Sequence, residues 1–185
     1  MVRGRLSMLA CAAVAASVVA TMPSPAAAAS GAEISRDASA ALAALYRSQP
    51  AAKALGQRAK GILVFPHMLK AGFMFGGQIG EGALFKNGKT VAYYNSVAAS
   101  YGLQVGAQKF GYALFFMNDA ALKQLDATKG FELGVGPSIV VLDAGAAKSF
   151  TSNTATSDVY AFIFSQKGLM AGLGIQGSKI TKISK

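Results

Sequence analysis

Few residues in this chain are of the types that ligate metals or carry thiol and carboxylate or imidazole acid–base chemistry: one histidine, one cysteine and 8 carboxylates among 185 residues. His67 stands beside Pro66 with no second imidazole to complete a zinc site and no nucleophile motif near it, so it reads as a surface or loop histidine. Gly172, Gly174 and Gly177 spell G-x-G-x-x-G, the pattern that seats a pyrophosphate on a helix N-terminus. Too little chain follows Gly177 for that helix and its ribose-binding acid. "GALFKNGKT" imitates a phosphate loop, but five residues rather than four separate Gly82 from Gly88, and its Asn-Gly pair marks a hairpin. The carboxylates are scattered; an acid pair would need the fold to bring Glu81, Glu132 and Asp143 together. These residues predict a non-enzymatic protein with no catalytic residue, no cofactor and no metal.

The surplus chemistry is cationic. Lys and Arg number 18 against 8 Asp and Glu, a formal net charge of +10. Lys53, Arg58, Lys60 and Lys70 flank the second helix and first strand predicted below, and Lys179, Lys182 and Lys185 crowd the carboxyl end. On one surface they would meet phosphates of an anionic membrane while an amphipathic helix laid its apolar side among the acyl chains. Most such charge runs are only a solvated face. The apolar share of 52% against 14% charged supports a different reading, an envelope structural or adhesive, antigenic surface module that binds another protein.

The elements that must carry these groups fall into two parts. Ser30 to Glu33 fits a capping box, and Ile34, Ala38, Ala41, Leu42 and Leu45 follow at helical spacing, which predicts a helix over 32–48. Pro50 suits the first turn of a second helix with Ala51, Leu55 and Ala59 on one stripe, ended by Gly61. From Ile62 onward short β-branched and aromatic runs alternate with glycine: "ILVF", "GFMFGGQIGEGALF", "TVAYYNSV", "YGLQVGAQ", "YALFFM". Asn87-Gly88 predicts a type I′ hairpin, and Asn118 caps a short helix through Asp126. "FELGV", "SIVVL", "VYAFIFSQ" and "LMAGLGIQGSKITKI" complete the strands, with a tight turn at Lys167-Gly168 and a surface loop over 143–157. Glycines inside strands, Gly76, Gly77, Gly80 and Gly82 among them, imply a strongly bent sheet or small barrel, a flat two-layer sandwich being the alternative. The expected class is α+β, mainly antiparallel, with N-terminal helices over 32–60 and a β-rich body over 61–185.

Residues 1–29 read as a secretory signal: Arg3 and Arg5, an apolar stretch from Leu6 to Ala20, then Pro23, Pro25 and an alanine run suited to cutting after Ala28 or Ala29. The rest, 30–185, reads as a single domain, long enough to build its own core. Met8-Leu9-Ala10-Cys11 offers a lipoprotein alternative with Cys11 acylated, but the apolar run before it is too short. After ordinary cleavage no thiol remains. Export to the periplasm or outer membrane, or release, makes nucleic acid a poor partner, and no segment after the signal approaches the run of apolar residues a membrane-spanning helix needs.

The spans "AKGILVFP", "KAGFMFGGQIGEGAL", "SYGLQVGAQ", "LFFMND", "FELGVGPS" and "SQKGLMAGLGIQGSKI", in this order, resemble the SYLF domain over about 50–185. The resemblance implies binding to membrane lipid through the basic, amphipathic amino-terminal part of the domain, the region that holds Lys53, Arg58, Lys60 and Lys70, and it implies no enzyme. Phosphoinositide and actin binding, properties of eukaryotic members, have no counterpart in an exported bacterial-type protein. The expected partner is an anionic phospholipid or membrane surface.

Overall fold

Ser30 begins the first helix, α1 (Gly31–Ser48), with a reciprocal cap: its hydroxyl accepts from the Glu33 amide at 3.2 Å and Glu33 accepts from the Ser30 amide at 2.8 Å. Pro50 occupies the first turn of α2 (Pro50–Gly56), where a missing N–H costs nothing. That helix stops at Gly56, and a turn carries the chain to Gly61. The computed structural model describes residues 29–126, 130–133, 138–142, 156–168 and 177–185, without the side chains of 73–75, 100–105 and 168. Residues 1–28 of the expected signal, Cys11 among them, Asp143, most of the expected loop over 143–157 and the glycines at 172 and 174 lie outside the described residues.

The short strands expected before and after the Asn-Gly turn merge into two long ones, β1 (Gly61–Lys86) and β2 (Lys89–Phe116), of 26 and 28 residues. They pair antiparallel from Gly61 opposite Phe116 to Lys86 opposite Lys89. The turn between them has Asn87 at φ 50° and Gly88 at φ 75°, the two positive values that type I′ demands. After β2, Asn118 caps α3 (Asp119–Lys123) by accepting from the Ala121 amide at 2.8 Å, and a 3-10 turn continues over Gln124–Asp126. The remaining strands are β3 (Phe131–Glu132), β4 (Ile139–Leu142), β5 (Val159–Gly168) and β6 (Lys179–Ile183). Lys167 and Gly168, expected in a tight turn, instead end β5 in pairing with β2.

The far edge of β2 is shared: its first half pairs with β6 and its second half with β5. β3 adds to β6 antiparallel, and β4 adds to β5 in parallel. The class is therefore α+β with a mainly antiparallel sheet curled into a half-barrel. Inner-face glycines let it bend. A Cβ on Gly82 would lie 2.5 Å from the Val64 carbonyl oxygen and one on Gly80 would lie 2.7 Å from that of His67, so the two halves of β1 touch across the bend.

Period-two alternation divides the apolar residues between two cores. Leu63, Phe65, Met68, Leu84, Tyr94, Tyr112, Leu114 and Phe116 point inward and are closed off by Leu122, Leu125 and Phe131. Phe65 stacks on Tyr112 at 4.7 Å, and Phe116 meets Phe131 edge-on at 5.9 Å. Ile62, Val64, Phe85, Ala113, Phe115 and Phe162 point outward, where Ile34, Ala38 and Leu45 of α1 and Ala52 and Leu55 of α2 cover them.

Candidate functional site

The helix α1 crosses the outer face of the sheet, and a groove runs along each side of it. The first, about 550 Å³, lies between Asp37, Ala40 and Ala41 of α1 and the strands β1, β2 and β5. Two bulges build it. Between Phe65 and Met68, β1 carries one residue more than β2, so Pro66 and His67 share a single partner position. Between Phe164 and Lys167, β5 does the same with Ser165 and Gln166. The two bulges flank neighbouring positions of β2, Gly111 and Phe110, and locally strengthen the bend there. Ser165 takes φ 53°, a left-handed conformation that costs a serine energy and that recurs in functional loops.

The second bulge decides which charges meet. With it, Lys109 faces Lys167 directly across the strands; the register beyond it would have set Gln166 there. Leu69 pairs with Lys109 on the other side and is 43% exposed, so Leu69, Lys109 and Lys167 form one row across the outer face. Like charges directly opposite destabilise a sheet. Both lysines are exposed, and no carboxylate among the described residues bonds to either. Asp37, the groove's acid, is already engaged: Arg36 Nε donates to it at 2.9 Å and His67 Nε2 lies 3.4 Å away. The Arg36 hydrogen bond holds the Asp37 carboxyl below its usual value.

The second groove, about 430 Å³, is lined by Leu42 and Tyr46 of α1, Gln57, Ala59, Ile62 and Phe85. Here the end of α2 approaches α1 so closely that a Cβ on Gly56 would overlap the Tyr46 phenol. Lys53, Arg58 and Lys60 belong to α2 and the turn after it, all exposed, with the Lys60 amide anchored to the Phe116 carbonyl at 2.8 Å.

The structure separates the other lysines singled out by sequence. Lys70 is 5% exposed and lies inside the half-barrel, directly across from Gln108, whose Oε1 has no hydrogen-bond partner among the described residues. Gln78, Ser96 and Ser178 are also buried, with Gln78 Nε2 donating to Ser178 at 2.6 Å. Lys70 therefore does not share the surface of Lys53 and Lys60, contrary to expectation. The extra residue at the Pro66–His67 bulge reverses the alternation, turning Met68 and Lys70 inward. Lys179 is exposed on β6, opposite Val97 and Glu132. Lys182 pairs with Asp126 at 3.0 Å, the interaction that lowers the Asp126 carboxyl most. Lys185 joins Glu81 at 2.8 Å and donates to the Ala29 carbonyl at 3.0 Å.

The helices also depart from the membrane role expected of them. Their apolar stripes face the sheet, and laying them in a bilayer would strip Ile62, Val64, Phe85, Phe115 and Phe162 of cover. At about 1.5–3 kcal/mol for each such side chain, the cost is on the order of 10 kcal/mol, comparable with the whole stability of a domain. No helix among the described residues is long and apolar enough to cross a membrane.

Glu81 is tied to Lys185, Glu132 lies on β3 opposite Lys179, and the described residues contain no group of three metal-ligating side chains. Lys109 and Lys167 were not singled out as site residues from the sequence, where Lys109 follows a short strand and Lys167 reads as part of a tight turn with Gly168. Their meeting depends on a bulge whose only local signal is the "FSQKG" segment after an apolar run.

A family model described as "Las17-binding protein actin regulator" (Ysc84) matches residues 97–185. Protein YSC84 of Saccharomyces cerevisiae is 30% identical over 132 residues, a stretch that makes up 67% of this chain and 28% of the yeast protein. The chain thus corresponds to a little over a quarter of that relative's length.

Proposed function

We propose, from the chain's similarity to the Ysc84/SYLF family, that it is a non-enzymatic protein that binds anionic phospholipid at a membrane surface of the bacterial cell envelope. The observation that carries the reading is the unequal use of charge. Glu33, Asp37, Glu81, Asp126 and Asp158 are held by hydrogen bonds or ion pairs within the fold, whereas Lys53, Lys60, Lys109, Lys167 and Lys179 are exposed. Acids satisfied internally leave a field that attracts anionic surfaces. The proposal keeps Lys53, Arg58, Lys60 and Lys179 as surface contacts. Lys182, already paired with Asp126, contributes less, and Lys70, inside the half-barrel, contributes none at the surface. The leader-like composition of residues 1–29 supports export; cleavage before Ala29 or Ser30 would leave the α1 cap intact.

The test is co-sedimentation of the protein, as recovered from the envelope, with phosphatidylglycerol-containing and with phosphatidylcholine vesicles across a salt series. Binding selective for the anionic vesicles and fading above about 0.15 M salt is expected. Neutralising Lys53, Arg58 and Lys60 together should weaken it on the order of 100-fold at low salt, at about 1 kcal/mol per charge. No binding to either vesicle would defeat the reading. The mass of the recovered protein tests export, and a chain still carrying residues 1–28 would overturn that part.

One observation favours a second reading, a surface that binds another protein. Ile79 and Val97 face each other across β1 and β2 on the outer face and are 56% and 44% exposed. The family's description as a Las17-binding regulator is consistent with protein contacts. Specific capture of an envelope protein that is lost on replacing Ile79 and Val97 with Asn would favour this reading over lipid binding.

A further inference from the structure

The first groove has the features of a site for a single lipid molecule rather than for a membrane plane. We propose that Lys109 and Lys167 grip the phosphate of one anionic phospholipid, with the proximal acyl chain lying along Leu69, Phe164 and the Ala40–Ala41 flank of α1. The inference rests on the lipid-binding reading above and adds the place and the stoichiometry.

Three observations converge. First, two exposed lysines are paired directly across neighbouring strands, a placement of like charges that works against the sheet and that an anion bound between them would relieve. Second, this placement is produced by an irregularity: the β5 bulge, with Ser165 at φ 53°, brings Lys167 rather than Gln166 opposite Lys109. Third, the lysines open onto a groove of about 550 Å³ whose wall is largely apolar, the size of a pocket that takes a small ligand or part of a lipid. The apolar wall discriminates against free phosphate, which has nothing to place there. Asp37 does not neutralise the pair, because Arg36 and His67 already occupy it.

Paired glutamines at both positions, Lys109→Gln with Lys167→Gln, provide the test alongside Lys53→Gln with Lys60→Gln. Each protein is titrated with dihexanoyl phosphatidylglycerol below its micelle concentration, with glycerol 3-phosphate and with inorganic phosphate, and binding is read from NMR shifts. Vesicle binding is measured in parallel, and thermal unfolding confirms that each variant folds. The expected result is one dihexanoyl phosphatidylglycerol bound per chain, at least 10-fold tighter than glycerol 3-phosphate, with shifts centred on Lys109, Lys167 and Phe164. The Lys109/Lys167 variant should lose at least 10-fold in affinity and unfold no earlier than the parent, since it removes a repulsion; the Lys53/Lys60 variant should keep monomer binding. Vesicle binding by the parent with no monomer binding, or monomer binding unchanged in the Lys109/Lys167 variant, would overturn the groove site and leave the lipid-binding reading standing. Inorganic phosphate binding as tightly as the lipid would also overturn it, as a bare anion patch. Failure of the parent to bind either vesicles or monomer would remove both.

Discussion

Tyr112 and Ser96 belong to one strand, 16 positions apart, yet the Tyr112 hydroxyl donates to Ser96 Oγ at 2.7 Å. A straight strand would hold them roughly 50 Å apart. The bond therefore spans the interior that β2 wraps around, joining its first and second halves. Burial pushes the Tyr112 phenol pKa up, and the Ser96 bond pulls it partly back.

Cutting that bond on one side should already carry part of the cost of removing it altogether. Tyr112→Phe leaves the fully buried Ser96 hydroxyl without its partner, and Ser96→Ala does the same to Tyr112; each should lower stability by about 1–3 kcal/mol in urea unfolding. The double variant should fall short of the sum by roughly 0.5–1.5 kcal/mol. Simple additivity would mean that the two halves of β2 are held by packing alone.

The bend in β1 predicts opposite outcomes for two glycines in the same strand. Gly82→Ala places a methyl 2.5 Å from the Val64 carbonyl and 2.7 Å from the Phe65 ring, and should cost about 1–3 kcal/mol or more. Gly77→Ala meets only the Ala98 carbonyl at 3.7 Å and should be tolerated. Equal effects in a thermal melt would show that the two halves of β1 do not touch.

Acid should loosen the join between α3, β4 and β5. The Asp158 carboxylate accepts from Asn118 Nδ2 at 2.7 Å and from the Ser138 amide and hydroxyl at 3.1 Å each. The Asn118 bond, then those from Ser138, hold its pKa below the ordinary 3.8. A carboxyl depressed in the folded state stabilises the fold above its unfolded pKa, and that contribution disappears as pH falls through the folded value. Asp158→Asn should therefore be less stable at neutral pH and lose less stability between about pH 5 and pH 2 than the parent. Parallel acid-unfolding curves would count against this role.

Where the sequence was legible, the signal was local. The S-x-x-E box at Ser30, Pro50, the Asn87-Gly88 turn and the Asn118 cap each act through hydrogen bonds or dihedral angles within a few residues, and each element begins where those residues place it. The resemblance carried by the ordered motifs from "AKGILVFP" onward likewise needed no structure, and the glycine spacing correctly implied a bent sheet. Strand ends were less legible: "ILVF" and "GFMFGGQIGEGALF" read as separate runs but lie within one continuous β1, because the bulge at Pro66–His67 interrupts the pairing only locally.

The sequence alone determined an excess of cations, two amphipathic helices and a chain of alternating strands. Only the tertiary structure decided which way those residues face. A strand's side chains alternate with period two, so one extra residue reverses everything beyond it. The bulge at Pro66–His67 sends Lys70 into the interior, and the bulge at Ser165–Gln166 brings Lys167 opposite Lys109. Each bulge is fixed by pairing with β2 at Gly111 and Phe110, positions distant in sequence from both bulges, and no window of local sequence contains that partner.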